Sequence, residues 1–321
     1  MLQSLMDDDS SGKFMGKADY ISVINTLPLG IADFRTIRRE NRVYVDKTNI
    51  IAEIGSYSAP VFLSRPNRFG KSTLISTFNE LFGNGLINFE GLKISKQKLW
   101  KDKTYLVLNL DFTHLKGEPE HFLEKLVNYI EFRLKDLGIT PAPEINDPVA
   151  RFREALYKVE DRALVLLIDE YDAPFRQCAA DEQTLNKLKD DAGAFNAVIK
   201  GLSHKFRFIF FTGISDFWDM ASFSSLNNIV DISRGPRYGT LLGYTAEELE
   251  HCFSAEFDQA ARLLNIYHGG NLYNKSSLLE KMKQRLKSYC FDKLGITKVY
   301  NPCSVLNFLQ NPEVFEDTST E

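Results

Sequence analysis

Gly70-Lys71-Ser72-Thr73 puts a glycine turn, an ammonium group and two hydroxyls into consecutive positions. That set suits a polyanion bound together with a divalent cation. Backbone N–H groups at a glycine turn opening a helix bind phosphate, a lysine reaches the β- and γ-phosphates, and a serine hydroxyl ligates magnesium. Further along, Leu164-Val165-Leu166-Leu167-Ile168 runs straight into Asp169-Glu170. Asp169 is the second candidate metal ligand beside Ser72, and Glu170 the candidate base that polarises an attacking water. A third apolar run, Phe206 to Phe211, ends in Thr212-Gly213-Ile214-Ser215, where Thr212 is the candidate γ-phosphate sensor and Ser215 a neighbour. Glycine-lysine followed by serine or threonine arises by chance in roughly one chain in seven of this length, so the surrounding elements decide what it means.

Those elements fit. Val61-Phe62-Leu63 reads as a strand entering the turn, and Leu74, Ile75, Phe78, Leu81 and Phe82 give the helical spacing that leaves it. Strands are predicted at Pro60 to Leu63, Tyr105 to Leu110, Leu164 to Ile168 and Phe206 to Phe211, each apolar enough to be covered on both faces. Helices are predicted at Ser72 to Phe82, Glu120 to Leu137, Val149 to Val159 and Glu182 to Leu202. The alternation implies an α/β fold: the parallel sheet of a P-loop NTPase sandwiched by helices, with ligands gathered at the carboxyl ends of the strands. After Leu242 the spacing reads as helices only, with Thr245 and Glu248 forming a capping box; Thr48 is expected to cap an earlier helix. The division expected is a disordered leader at 1–18, a P-loop ATPase domain at 19–242, and a smaller helical lid or C-terminal subdomain at 243–321.

The phosphate loop departs from the full pattern, which wants glycine where Arg65 stands, and Pro66 has no N–H to give. The cradle is therefore expected from Arg68 and Phe69 onward, through Gly70, Lys71, Ser72 and Thr73. Arg65 and Arg68 either add side-chain charge on the phosphates or lie solvated in the loop. Asp172 suits a cap or loop ligand better than a catalytic group. Arg234 and Arg237, in a glycine- and proline-bearing loop, are the candidates for a charge-stabilising arginine, acting in cis or toward a neighbouring subunit.

Composition narrows the class. With 44% hydrophobic residues, the 321-residue chain can bury a sizeable core. No apolar run approaches a membrane span, and no secretory signal is apparent. Cys178, Cys252, Cys290 and Cys303 show neither redox nor metal-ligand spacing, which fits reduced thiols in a cytoplasmic setting. The five histidines never fall at helix-face ligand spacing, so no transition metal is assigned. A net charge of -4 gives no global reason to expect nucleic acid.

Taken together, these segments resemble the AAA-ATPase-like family of bacterial proteins, in which a P-loop domain is often fused to a nuclease-like domain of the PD-(D/E)xK type. The matching text is Leu27-Pro28-Leu29-Gly30 with Asp33-Phe34, Tyr44-Val45-Asp46-Lys47-Thr48, Ser64-Arg65-Pro66 through Ser72, Ile168 through Pro174, Phe211 through Ser215, and Val299-Tyr300-Asn301-Pro302. The resemblance makes the arginine-proline loop a family trait and implies adenine over guanine; no Asn-Lys-x-Asp guanine reader is present. No Asp-x-Lys or Glu-x-Lys triplet occurs either, so nuclease activity within this sequence is not expected. Asn67 stands where the family commonly has a basic residue.

The leading expectation is magnesium-dependent ATP binding and hydrolysis, with ATP and Mg2+ as the bound groups. The alternative is a nucleotide-binding switch or scaffold with little turnover that recruits a protein partner; retention of Glu170 favours turnover. A protein partner or homo-oligomer fits either reading, no membrane contact is expected, and a nucleic-acid role rests on family association alone.

Overall fold

Near-continuous apolar strands must be covered on both faces, and the sheet of this protein is. The computed structural model describes residues 26–115, 121–140, 144–215, 226 and 228–315; the leader expected at 1–18 lies outside them. In chain order the elements are α1 (Phe34–Arg39), α2 (Thr48–Gly55), β1 (Val61–Ser64), α3 (Lys71–Asn84), α4 (Lys93–Lys96), β2 (Leu106–Asp111), α5 (Phe122–Asp136), α6 (Pro148–Tyr157), β3 (Leu164–Asp169), α7 (Ala173–Gln177), α8 (Glu182–Gly201), β4 (Phe206–Gly213), β5 (Val230–Asp231), α9 (Ala246–Cys252), α10 (Ser254–Tyr267), α11 (Lys275–Arg285), β6 (Ser288–Cys290), β7 (Lys298–Tyr300) and α12 (Pro302–Gln310).

The five-stranded sheet has the order β2-β3-β4-β1-β5, and every pairing is parallel. Alternation along β3 divides its burial between two cores. Leu164, Leu166 and Ile168 pack with Leu126 and Ile130 of α5, Phe152 of α6 and Phe195 of α8. Val165 and Leu167 face the other way, toward Ile51 of α2 and Leu74 and Phe78 of α3. A third core joins Leu249, Phe257, Leu278 and Val305 of α9 to α12 with Leu27 and Val45 from far upstream. No helix among the described residues is long and apolar enough to cross a membrane.

Four local expectations are corrected. The region after Leu242 is not helical throughout, because β6 and β7 pair antiparallel and Tyr244 bridges to Tyr300. Strands of three residues are too short to display alternation, and this hairpin is closed by the Asp292 carboxylate, which accepts from Ile296 N at 3.1 Å and Thr297 N at 3.0 Å. β5 is missing from the expected strands for the same reason: it contributes only Val230 and Asp231, pairing with Val61 and Phe62. β2 is an edge strand, so Leu108 and Leu110 are buried while Leu106 is exposed. Finally, Thr48 is the first residue of α2 rather than its cap, and Asp46 accepts from its N–H at 3.0 Å.

Candidate functional site

β4 lies between β1 and β3, which brings the ends of three strands together at one edge of the sheet. From β1 the chain passes through 65–69 into α3, and both Arg68 (φ 65°) and Gly70 (φ 95°) take the left-handed conformation. Alternating backbone of this kind turns successive N–H groups into a concave anion cradle. Arg68 is exposed, Ser72 is exposed and Thr73 is half-buried, so the loop's outer side faces open space. Phe69 offers only its main chain, since its ring is buried edge-on against Tyr289 and Phe291 at 5.0 and 5.1 Å.

The polar groups of this edge form one network. Ser72 Oγ donates to Asp169 Oδ2 at 2.6 Å, and Thr212 Oγ1 donates to Asp169 Oδ1. Lys71 is 4% exposed; its Nζ donates to Arg65 O at 3.1 Å and pairs with Glu170 Oε1 at 3.1 Å. The other oxygen of Glu170, Oε2, pairs with Arg176 at 3.0 Å. Glu170 itself sits at φ 50°, a conformation that L residues other than asparagine and aspartate seldom adopt and that costs about 1 kcal/mol or more.

Burial pushes the Asp169 carboxyl above its ordinary range, with neighbouring Glu170 and Asp111 adding to the push and the Ser72 and Thr212 hydroxyls opposing it. A buried carboxylate beside a hydroxyl, among other acids, is the donor chemistry of a divalent cation held through one or two protein ligands. Ser72 and Asp169 therefore fit magnesium.

Three placements bear on the sequence expectation. Thr212 is fully buried and its hydroxyl is spent on Asp169, so it touches the candidate metal ligand rather than open cleft. For a role in cis, Arg234 and Arg237 do not line the cleft; both are exposed, which leaves open the role toward a neighbouring subunit, and Arg237 pairs with Glu53 of α2 at 2.8 Å. Arg65 is neither a phosphate ligand nor a solvated residue. It is 2% exposed, donates to Ser64 O, Ser233 O and Tyr238 O at 2.7, 2.6 and 3.0 Å, and lies 4.2 Å from the Phe291 ring centre. Burial draws its guanidinium down to about 10, still charged at neutral pH. Its role is to clamp the loop after β5 against the phosphate loop. Asp172 is a loop ligand as read: 1% exposed, it accepts from Ile214 N, Ser215 N and Ser215 Oγ at 3.2, 2.9 and 2.8 Å.

Beside the phosphate loop opens a cavity of about 410 Å³ that local motifs did not announce. Its floor is Arg68 to Thr73, and its walls include Leu29, Val45, Leu241, Tyr244 and Cys303. Of the segment Asp46-Lys47-Thr48, Lys47 lines it; the Lys47 ammonium is buried, pairs with Glu248 at 2.9 Å and donates to Thr240 O. Burial pulls that ammonium below its ordinary range, with Glu248 opposing. The far wall is tied to the loop by Asn301 Nδ2, which donates to Asn67 O at 3.2 Å. Gly243 (φ 87°) leaves room for Val299, which a Cβ there would meet at 2.9 Å.

The family model described as "Predicted AAA-ATPase" matches residues 28–223. The chain belongs to this AAA-ATPase-like family. The matched segment holds the phosphate loop, Asp169-Glu170 and Thr212, so family and geometry meet on the same residues. This AAA-ATPase-like chain is also similar to an "Uncharacterized protein in vnfD 5'region" of Azotobacter chroococcum mcd 1, with 31% identity over 279 residues, 83% of this chain and 54% of the relative. It thus spans about half the length of the curated relative it matches. Among solved structures, Drosophila ORC bound to AT-rich DNA and Cdc6 aligns with 92% of this chain and 96% of that one at 11% identity and a TM-score of 0.31, too low to carry an argument.

Proposed function

We propose that this protein binds ATP with Mg2+ and hydrolyses it in the cytoplasm. The observation that carries the reading is the convergence of Lys71, Ser72, Asp169 and Glu170 in one hydrogen-bonded network, joined by Glu170 N donating to Asp169 Oδ1 at 3.0 Å, with Lys71, Ser72 and Glu170 lining an apolar cavity. The cavity falls within the usual range for small-ligand sites, and its apolar walls suit a base, with the phosphates on the loop below. The family resemblance and the lack of a guanine-reading motif favour adenine.

In this reading the amides of Arg68 to Thr73 and the Lys71 ammonium bind the phosphates, and Ser72 and Asp169 would hold the magnesium ion. When bound, that ion neutralises charge on the β- and γ-oxygens. Glu170 accepts a proton from water as the water oxygen attacks the γ-phosphorus and the bond to the bridging oxygen breaks. Thr212 holds Asp169 in place. The four cysteines carry free thiols, in keeping with a reducing compartment. Oligomerisation and a protein partner belong to the proposal at family level.

The test is magnesium-dependent hydrolysis by purified protein alongside equilibrium binding of ATP, with Lys71→Ala as control. Turnover and binding are both expected, and both are expected to fall by about a hundredfold or more in Lys71→Ala. Tight binding without turnover would instead establish the switch, and absence of binding would sink the nucleotide reading.

A further inference from the structure

We propose that Arg176 is the positioning residue of the site: it holds Glu170 in its working orientation and limits how strongly Glu170 competes for Lys71. The inference rests on the ATPase reading and deepens it.

Arg176 stands in the last turn of α7, where its guanidinium forks between two carboxylates of the same loop. One nitrogen lies 3.0 Å from Glu170 Oε2, the other 2.6 Å from Asp172 Oδ2. Asp172 in turn fixes Ile214 and Ser215, the turn that follows Thr212. A single guanidinium therefore joins the end of β3 to the end of β4. Arginine suits this better than lysine, because its planar fork presents two donors in fixed geometry while lysine offers a point charge.

An ion pair at a partly exposed side chain is ordinarily worth little. Here the surroundings single it out. Glu170 is held in a strained backbone conformation, and its two oxygens are shared between Lys71 and Arg176. The two cations are not equivalent. Lys71 is the group that phosphate draws away, since it lies in the loop that cradles the anion. Once it turns to phosphate, Arg176 is the cation left beside Glu170, and it keeps the carboxylate aimed. Before then, Arg176 takes half of the carboxylate's interaction and so loosens its grip on Lys71. Without Arg176 both oxygens of Glu170 are available to Lys71, and an incoming phosphate must compete against a stronger pair.

A double-mutant cycle on binding tests this without relying on turnover. Wild type, Arg176→Gln, Glu170→Gln and the double variant are titrated calorimetrically with the β,γ-imido analogue of ATP and magnesium. Arg176→Gln is expected to weaken binding by about threefold to tenfold when Glu170 is present. It is expected to have no effect when residue 170 is glutamine. In steady-state hydrolysis of ATP, Arg176→Gln should lower kcat by about a hundredfold while KM moves far less, and Arg176→Lys should recover part of kcat. Equal weakening in both backgrounds would overturn the proposal, because it would trace the effect to Asp172 and the 213–215 turn alone. An unchanged kcat would overturn it as well. If wild type binds no analogue, the nucleotide reading itself fails, a result distinct from binding that shows no coupling between positions 170 and 176.

Discussion

The two ends of the cleft are built differently. The phosphate end is made by strand ends of one sheet: the loop after β1, the Asp169-Glu170 end of β3 and Thr212 on β4, interlocked by short polar contacts. The other end is a cavity wall gathered from Leu29 and Val45, Leu241 and Tyr244, and Cys303, with few polar groups. The sheet fixes the first by hydrogen-bonded register, whereas the second depends on a third hydrophobic core and on the Asn301 to Asn67 contact. In the proposed function, chemistry that tolerates little displacement falls to the sheet end, and recognition of a flat apolar group to the composite end.

The comparison can be broken at either end. Glu170→Gln should lower turnover by about a hundredfold or more while ATP binding is retained at wild-type affinity or tighter, measured by phosphate release and by titration. Retained turnover would mean that the sheet end does not carry the chemistry. Arg65→Met should leave the carbonyls of Ser233 and Tyr238 short of a donor and cost about 3 kcal/mol of stability, read from urea melts. A loss of nucleotide affinity without loss of stability would return Arg65 to the phosphates.

At the composite end, Cys303→Trp narrows the cavity. It should weaken ATP by about tenfold yet leave binding of inorganic tripolyphosphate unchanged, which separates base from phosphate contributions. The smallest effect concerns pH. Because the Asp169 carboxyl titrates above its ordinary range in the folded protein, its ionisation opposes folding: the penalty is absent in acid and grows as pH rises through the ordinary carboxylate range. Asp169→Asn should therefore melt slightly higher than wild type at neutral pH without nucleotide or magnesium, and the gap should close as the solution is acidified.

How much of this was legible in the sequence follows from the same contrast. Asp169 and Glu170 close an unbroken apolar run, and Lys71 and Ser72 open a helix after a glycine turn, so both residue type and position could be read locally. The four main strands and the helices between them were readable for the same reason. Arg65 and Arg176 were not, because their roles depend on partners chosen by tertiary structure: carbonyls at 233 and 238 for one, a carboxylate six positions back for the other. Arg234 and Arg237 drew attention as charges in a glycine-proline loop, but residue type does not encode where a loop points. The cavity walls come from segments far apart in the chain, and strands as short as β5, β6 and β7 have no period to detect.

The left-handed backbone at Glu170 also bears on how this protein could evolve. Glycine or asparagine would adopt that conformation with less strain, by about 1 kcal/mol, but would leave Lys71 and Arg176 without the carboxylate they share. Backbone strain and the two ion pairs therefore pull position 170 in opposite directions, and the proposed base lies on the side of the pairs.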